Sequence, residues 1–264
     1  SLFLSLAVPN ATQVLLAELD RFLLNVESDT ERVHLVRSVA DLDIARDTGK
    51  IALLMAANRA DWFGDSPGVL RQFARLGLRM ITIAQATREL GWDPSNEIRS
   101  GGRLTELGVR MIAEMNQCGI LIDLAHSNDS CALDAIDISE FPVLDTHSAP
   151  RTLNPGELRA IPDEVMRAMA KRGGMLGISP PVSRPQGEAP YDSIDPEEMS
   201  RTLKQLHYAT DVMGIEFVGI GTHFSTAIMP ALTDALLDDG FTESDTAAIM
   251  GGNFLRVLRQ VLPR

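Results

Sequence analysis

Three of the five histidines in this chain stand just past short apolar runs. They close the segments Leu121-Ile122-Asp123-Leu124-Ala125-His126, Val143-Leu144-Asp145-Thr146-His147 and Gly219-Ile220-Gly221-Thr222-His223. A short continuous apolar run reads as a buried strand. In parallel α/β folds the carboxyl ends of the strands form the functional face. Imidazole is a common metal ligand, and three can make a facial set, so His126, His147 and His223 are candidate ligands for one zinc or other divalent ion. The bland alternative is three unrelated loop histidines, hydrogen-bonded or solvated. Asp145 lies two residues before His147 on the same strand face. There it could orient an imidazole, hold a proton, or be a satisfied core carboxylate. His34 and His207 lie on helical or helix-flanking sequence and receive no role. No Gly-x-Ser-x-Gly elbow is present and neither cysteine follows a strand, so nothing supports nucleophilic catalysis.

The elements that must position these groups alternate along the chain. Continuous apolar runs predict strands at Phe3–Val8, Ile51–Ala57, Arg79–Ala84, Gly119–Ala125, Pro142–Thr146, Gly174–Ser179 and Phe217–Gly221. Helical spacing follows each one. It appears at Val14, Leu15, Leu19, Phe22 and Leu23, in a short helix opened by Ser38 with Asp41 three residues on, and over Ser66–Leu76, Thr105–Cys118, Asn128–Ile138, Asp163–Lys171 and Asp195–Met213. Two further helices, Ala231–Asp239 and Ser244–Val261, close the chain, with Ser244 as the expected N-cap of the second. The Pro- and Gly-rich stretch Ser179–Tyr191 reads as irregular. Strands alternating with helices mean a parallel sheet covered by helices, and a doubly wound sheet and a barrel share that signature. No Gly-x-Gly-x-x-Gly joins a strand to a helix, so a dinucleotide site is unsupported. No internal repeat or domain boundary is visible.

Composition narrows the partners. A chain of 264 residues with 45% hydrophobic and 23% charged residues is expected to bury a sizeable core. The net charge of -12 argues against nucleic acid and anionic membrane surfaces. Two cysteines do not make a disulfide framework, and buried thiols in a reducing, cytoplasmic setting are expected. No apolar run reaches the ~18 residues that span a bilayer. The apolar opening, Ser1 to Val8, has no basic lead and reads as a strand rather than a signal peptide.

Taken in order, Leu76–Arg79, Met111–His126, Thr146–Ser148, Ile161–Val165, Gly173-Gly174, Val218–Gly221 and Gly251–Val257 resemble the membrane (renal) dipeptidase family of the amidohydrolase superfamily. The resemblance runs from about Phe3 to the C-terminus. It implies a single TIM-like (β/α) barrel over residues 1–264, lacking the family's first strand and its His-x-Asp pair. It also implies dipeptide hydrolysis by a hydroxide bridging two zinc ions. His126 and His147 fall on the two histidines that ligate the second zinc. The bridging glutamate of a Gly-x-Glu-Gly-Gly segment falls on Asn58, within Ala56-Ala57-Asn58-Arg59-Ala60. A neutral amide does not bridge two cations as a carboxylate does, and Arg59 adds a positive charge beside it. The substrate-polarising histidine falls on Gln85, and the aspartate that handles the proton falls on His223. The arginine that binds the substrate carboxylate falls on Arg159 with one residue of slippage, and Arg151 is the runner-up.

On this reading His223 and Asp145 are the candidate catalytic residues, and Arg159, Gln85 and Asn58 the candidate substrate-binding ones. Two expectations follow. One is a dipeptidase-like barrel with a degenerate metal site, without normal dipeptidase activity and with no metal required. The other is a hydrolase using one metal held by His126, His147 and His223. Either would take a small peptide or amide-like ligand, and the resemblance implies a homodimer.

Overall fold

Side-chain caps decide where most of the helices begin. The computed structural model describes residues 11–85, 88–97, 101–180, 194–222 and 226–264. The predicted strand Phe3–Val8, most of the stretch Ser179–Tyr191 and His223 lie outside them. The chain divides into two compact units, Ser1–Phe141 with Leu258–Arg264, and Pro142–Val257.

In the first unit, α1 (Ala11–Glu27) buries Leu15, Leu19 and Val26 on one face. β1 (Val33–Val36) follows, then α2 (Val39–Asp47). Ser38 accepts the Asp41 N–H and the Asp41 carboxylate accepts the Ser38 N–H, the reciprocal capping box expected from the sequence. β2 (Ile51–Leu54) pairs parallel with β1, Val33 opposite Ile51. The predicted strand Ile51–Ala57 breaks at Met55. Its second part, β3 (Ala56–Ala57), pairs instead with β4 (Met80–Thr82), which pairs with β5 (Leu121–Asp123), all parallel. β1 was not predicted. Four residues with a histidine second carry little local preference, and such a strand is specified by its partner across the sheet.

The connecting helices are α3 (Pro67–Leu76), α4 (Glu106–Cys118) and α5 (Asp129–Ile138). Ser66, Thr105 and Asn128 cap their first turns through side-chain oxygens. Gly119 ends α4 at φ 62, and a Cβ there would press on the ring of Pro263, so the position needs glycine on both counts.

The second unit repeats the pattern with β6 (Leu144–Ser148), α6 (Asp163–Lys171), β7 (Met175–Ile178), α7 (Pro196–Met213) and β8 (Val218–Ile220). β6, β7 and β8 are consecutive parallel neighbours, and β7 is buried along its whole length. That is the pattern of a sheet covered on both faces. α8 (Met229–Asp238) and α9 (Glu243–Ala247) follow. The expected N-cap Ser244 is corrected to Thr242, whose hydroxyl forms a reciprocal box with Asp245. The expected continuous helix Ser244–Val261 is interrupted by a π-helical stretch, Ala248–Gly252, where Gly251 has φ 155, before α10 (Asn253–Val261).

The Gly-Gly-Asn-Phe-Leu-Arg-Val motif has a structural task here. The Asn253 amide donates to the carbonyls of Ile215 and Val218 at 2.8 and 2.7 Å. Arg256 donates to the carbonyls of Gly173, Gly174 and Glu216. Together they satisfy the entry ends of β7 and β8. No helix among the described residues is long and apolar enough to cross a membrane.

Candidate functional site

Among the described residues, Asn58, Gln85, His126 and His147 lie at or just past the ends of strands, Asp145 lies within β6, and Arg159 lies in the segment between β6 and α6. In the first unit, Asn58 follows β3 and is exposed, while its neighbour Arg59 is buried. Arg59 Nε donates to Asp61 Oδ1 at 2.9 Å and its Nη2 to Asp61 Oδ2, a two-pronged ion pair. Gln85, three residues past β4, is half-buried. Asp123 at the end of β5 is buried, accepting the Thr82 hydroxyl at 2.6 Å and the Ala125 N–H at 3.1 Å. His126 follows in a turn closed by the Ser127 N–H on the Leu124 carbonyl. Its φ of 68 makes it the one non-glycine with positive φ among the described residues. Histidine tolerates this left-handed region better than branched residues do, at a cost on the order of 1 kcal/mol. The Ser95 N–H on the His126 carbonyl, 2.6 Å, helps hold the turn.

In the second unit the structure brings Asp145, His147 and Arg159 together. Asp145 is buried, and its carboxylate accepts the His147 backbone N–H at 3.2 Å and the Ser148 hydroxyl at 2.8 Å. The pairing of β6 with β7 shifts register between Asp145 and Ser148. The expected alternation of Asp145 and His147 on one strand face is therefore interrupted by a bulge, which re-aims side chains. The bulge turns the Thr146 carbonyl toward Gly177 and Gly221. A Cβ on either glycine would lie well inside contact distance of that oxygen. The Thr146 hydroxyl lies 2.7 Å from His147 Nδ1.

Burial first, and then the nearby Arg159 charge, push the His147 imidazole down to about 4, so it is neutral at pH 7. Arg159 Nη2 donates to the His147 carbonyl at 3.4 Å, while its Nε is buried without a partner. Arg151, by contrast, spends its Nε on the Ala160 carbonyl. The unused donor makes Arg159 the better anion-binding candidate of the two.

A cleft of about 380 Å³ in this unit is lined by Thr146, His147, Gly221 and Thr222 on its polar side and by Ile249 and Phe254 among its apolar walls. Sequence reasoning missed Thr146, Gly177 and Gly221. The last two carried a signal, glycine inside a predicted strand, which marks close backbone approach.

His34 and His207, given no role, have structural partners: Asp41 at 3.1 Å, and Asp239 at 2.7 Å with Phe241 stacked at 4.5 Å. Cys131 is buried and Cys118 half-buried, and both are free thiols.

The family model described as membrane dipeptidase (peptidase family M19) matches residues 1–262. This chain belongs to the membrane dipeptidase family. Dipeptidase tcpJ of Claviceps purpurea is 29% identical over 251 residues, 89% of this chain and 57% of that protein. Dipeptidase 3 of Mus musculus is 28% identical over 241 residues, 84% of this chain and 47% of that protein. The chain thus spans about half the length of the curated relatives it matches. A metallopeptidase from Rhodobacter sphaeroides, solved with a phosphinate mimic of the dipeptide L-Ala-D-Ala, superposes with a TM-score of 0.84 at 24% identity, covering 95% of this chain and 75% of that one. The fold is accordingly the α/β, TIM-barrel-like fold of the membrane dipeptidases.

Membrane dipeptidases imply a metal centre, and the residues at the end of β3 do not fit a binuclear one. Where the resemblance sets a bridging glutamate, the chain has an exposed amide, Asn58, and the next residue is a buried cation paired with Asp61. Among the described residues, no group of three or more His, Cys, Asp or Glu side chains is placed to hold an ion.

Proposed function

We propose that this member of the membrane dipeptidase family binds a small peptide or amide-like ligand without normal dipeptidase activity, its binuclear site having degenerated. One observation carries the reading. Where a bridging carboxylate belongs, the chain has Asn58, followed by the buried Arg59–Asp61 pair. Both oxygens of the nearby Asp61 carboxylate are committed to the guanidinium, so that carboxylate does not replace the missing bridge. In the second unit the unused Nε–H of Arg159 supplies a donor for a carboxylate, and the cleft beside His147 supplies apolar surface. Asn58 and Gln85 offer amides that can both donate to and accept from peptide groups. No chemical step is assigned to them. A homodimer, a cytoplasmic setting and the absence of nucleic-acid partners belong to the same proposal.

A second reading keeps hydrolysis, with His126, His147 and His223 as ligands of one zinc or other divalent ion. The neutral state of His147 favours it, because only the unprotonated ring ligates metal.

Metal analysis of tag-free protein after zinc reconstitution, paired with a dipeptide hydrolysis assay and calorimetric titration of a dipeptide, separates the two. Near-zero metal with measurable dipeptide binding is expected. One metal per chain, lost in His147→Ala together with turnover, establishes the second reading instead.

A further inference from the structure

The first unit holds a carboxyl group that the proposed site does not use. Glu89 lines a cavity of about 40 Å³ with Asp61, Gly64, Leu90, Trp92 and Met111 among its walls, space for about three waters. Its Oε2 accepts the indole N–H of buried Trp92 at 2.7 Å, and its own N–H donates to the Trp92 carbonyl at 3.2 Å. Its Oε1 is buried without a partner.

Charge counting on the facing groups is decisive. The turn after β3 presents one cation, Arg59, and one anion, Asp61. Both Asp61 oxygens are taken by the guanidinium. α4 contributes only Leu107 and Met111 to the cavity wall. Two carboxyl groups therefore share one base, and the one left over is Glu89, whose unpartnered oxygen is the place for a proton.

We propose that Glu89 is a proton-operated latch fastening the 88–92 segment to the 59–64 turn that carries the Arg59–Asp61 pair. With its proton the carboxyl sits uncharged in the cavity and receives the Trp92 indole. Without it, a second anion faces Asp61 across the same small space and the segment is driven off the turn.

The expected pH window follows from burial, the largest cause, with the Asp61 charge second; these outweigh the Arg59 charge and the Asp61 backbone N–H, which favour the anion, and raise the Glu89 acid from 4.5 to about 8. A carboxyl raised in the folded state binds more protons folded than unfolded. Docking is then strongest below about 4.5, weakens as pH rises, and levels off above about 8. The latch is independent of whether the protein hydrolyses anything.

Hydrogen exchange of the full chain, corrected for intrinsic rates, tests it at about pH 5 and about pH 8.5. Peptides covering 59–64 and 88–92 are expected to lose protection at least tenfold at the higher pH, while peptides from α7 do not. Glu89→Gln, neutral at both pH values, is expected to abolish the difference. Should that variant not fold, Asp61→Asn frees Arg59 to pair with Glu89 and is expected to shrink the loss several-fold. An unchanged wild type, or variants that track it, overturns the proposal.

Discussion

At the end of β3 a buried cation, Arg59, is neutralised by a carboxylate two residues on. Within β6 a buried anion, Asp145, accepts a backbone N–H and a hydroxyl from the strand's last two residues. The first arrangement pairs its charges locally. It leaves Asn58 exposed and commits the local charge to an internal pair. The second leaves chemistry available: a neutral imidazole at His147, an unspent donor on Arg159, and a cleft alongside. One strand end holds its charge in a local ion pair, while the other sets a neutral imidazole beside a cleft. Two strand ends of one fold thus settle their buried charges in different ways.

The contrast can be broken experimentally, beginning where the effect is greatest. Gly221→Val sets a branched side chain against the Thr146 carbonyl and should destabilise the protein by about 3 kcal/mol or more in urea unfolding. A change under ~1 kcal/mol would mean that the bulge is not held by glycine clearance. Arg59→Ala strands Asp61 in a half-buried setting and should cost about 2–3 kcal/mol, whereas the double change Arg59→Met with Asp61→Leu should recover most of it. Equal losses in single and double variants would refute the self-contained pair. Asp145→Ala removes the acceptor of the His147 N–H and Ser148 hydroxyl, with an expected loss of about 2 kcal/mol by thermal unfolding. The smallest effect on stability is expected for Arg159→Gln, within about 0.5 kcal/mol. The same change should weaken dipeptide binding about tenfold by calorimetry, since a charge-assisted bond is lost. Intact binding would remove Arg159 from the site.

Much of the fold was legible because its signals are local. Ser66, Thr105 and Asn128 announce helices by capping chemistry, and the apolar runs before His126 and His147 announce strands. β1 was not legible, since Val33–Val36 becomes a strand only through its register with Ile51–Leu54. Nor was the break at Met55, where one apolar run divides its hydrogen bonds between two different partners. Of the site, the strand-end positions of Asn58, His126 and His147 were readable from the order of the apolar runs and the resemblance. The β6 bulge was not, because it depends on Gly177 and Gly221, brought to the Thr146 carbonyl from two other strands. The burial of Arg59 was likewise hidden, since a charge beside a neutral amide reads as surface until its partner two residues later is seen to clamp it.

The fastening of β7 and β8 by α10 has a consequence for synthesis on the ribosome. Arg256 supplies donors to Gly173 and Gly174, and Asn253 to Val218, from 83, 82 and 35 residues further along the chain. While the nascent polypeptide stops short of these two residues, those carbonyls lack their final donors and the sheet of the second unit is incomplete. The hydrogen bonding of that unit is therefore completed only after α10 has been synthesised.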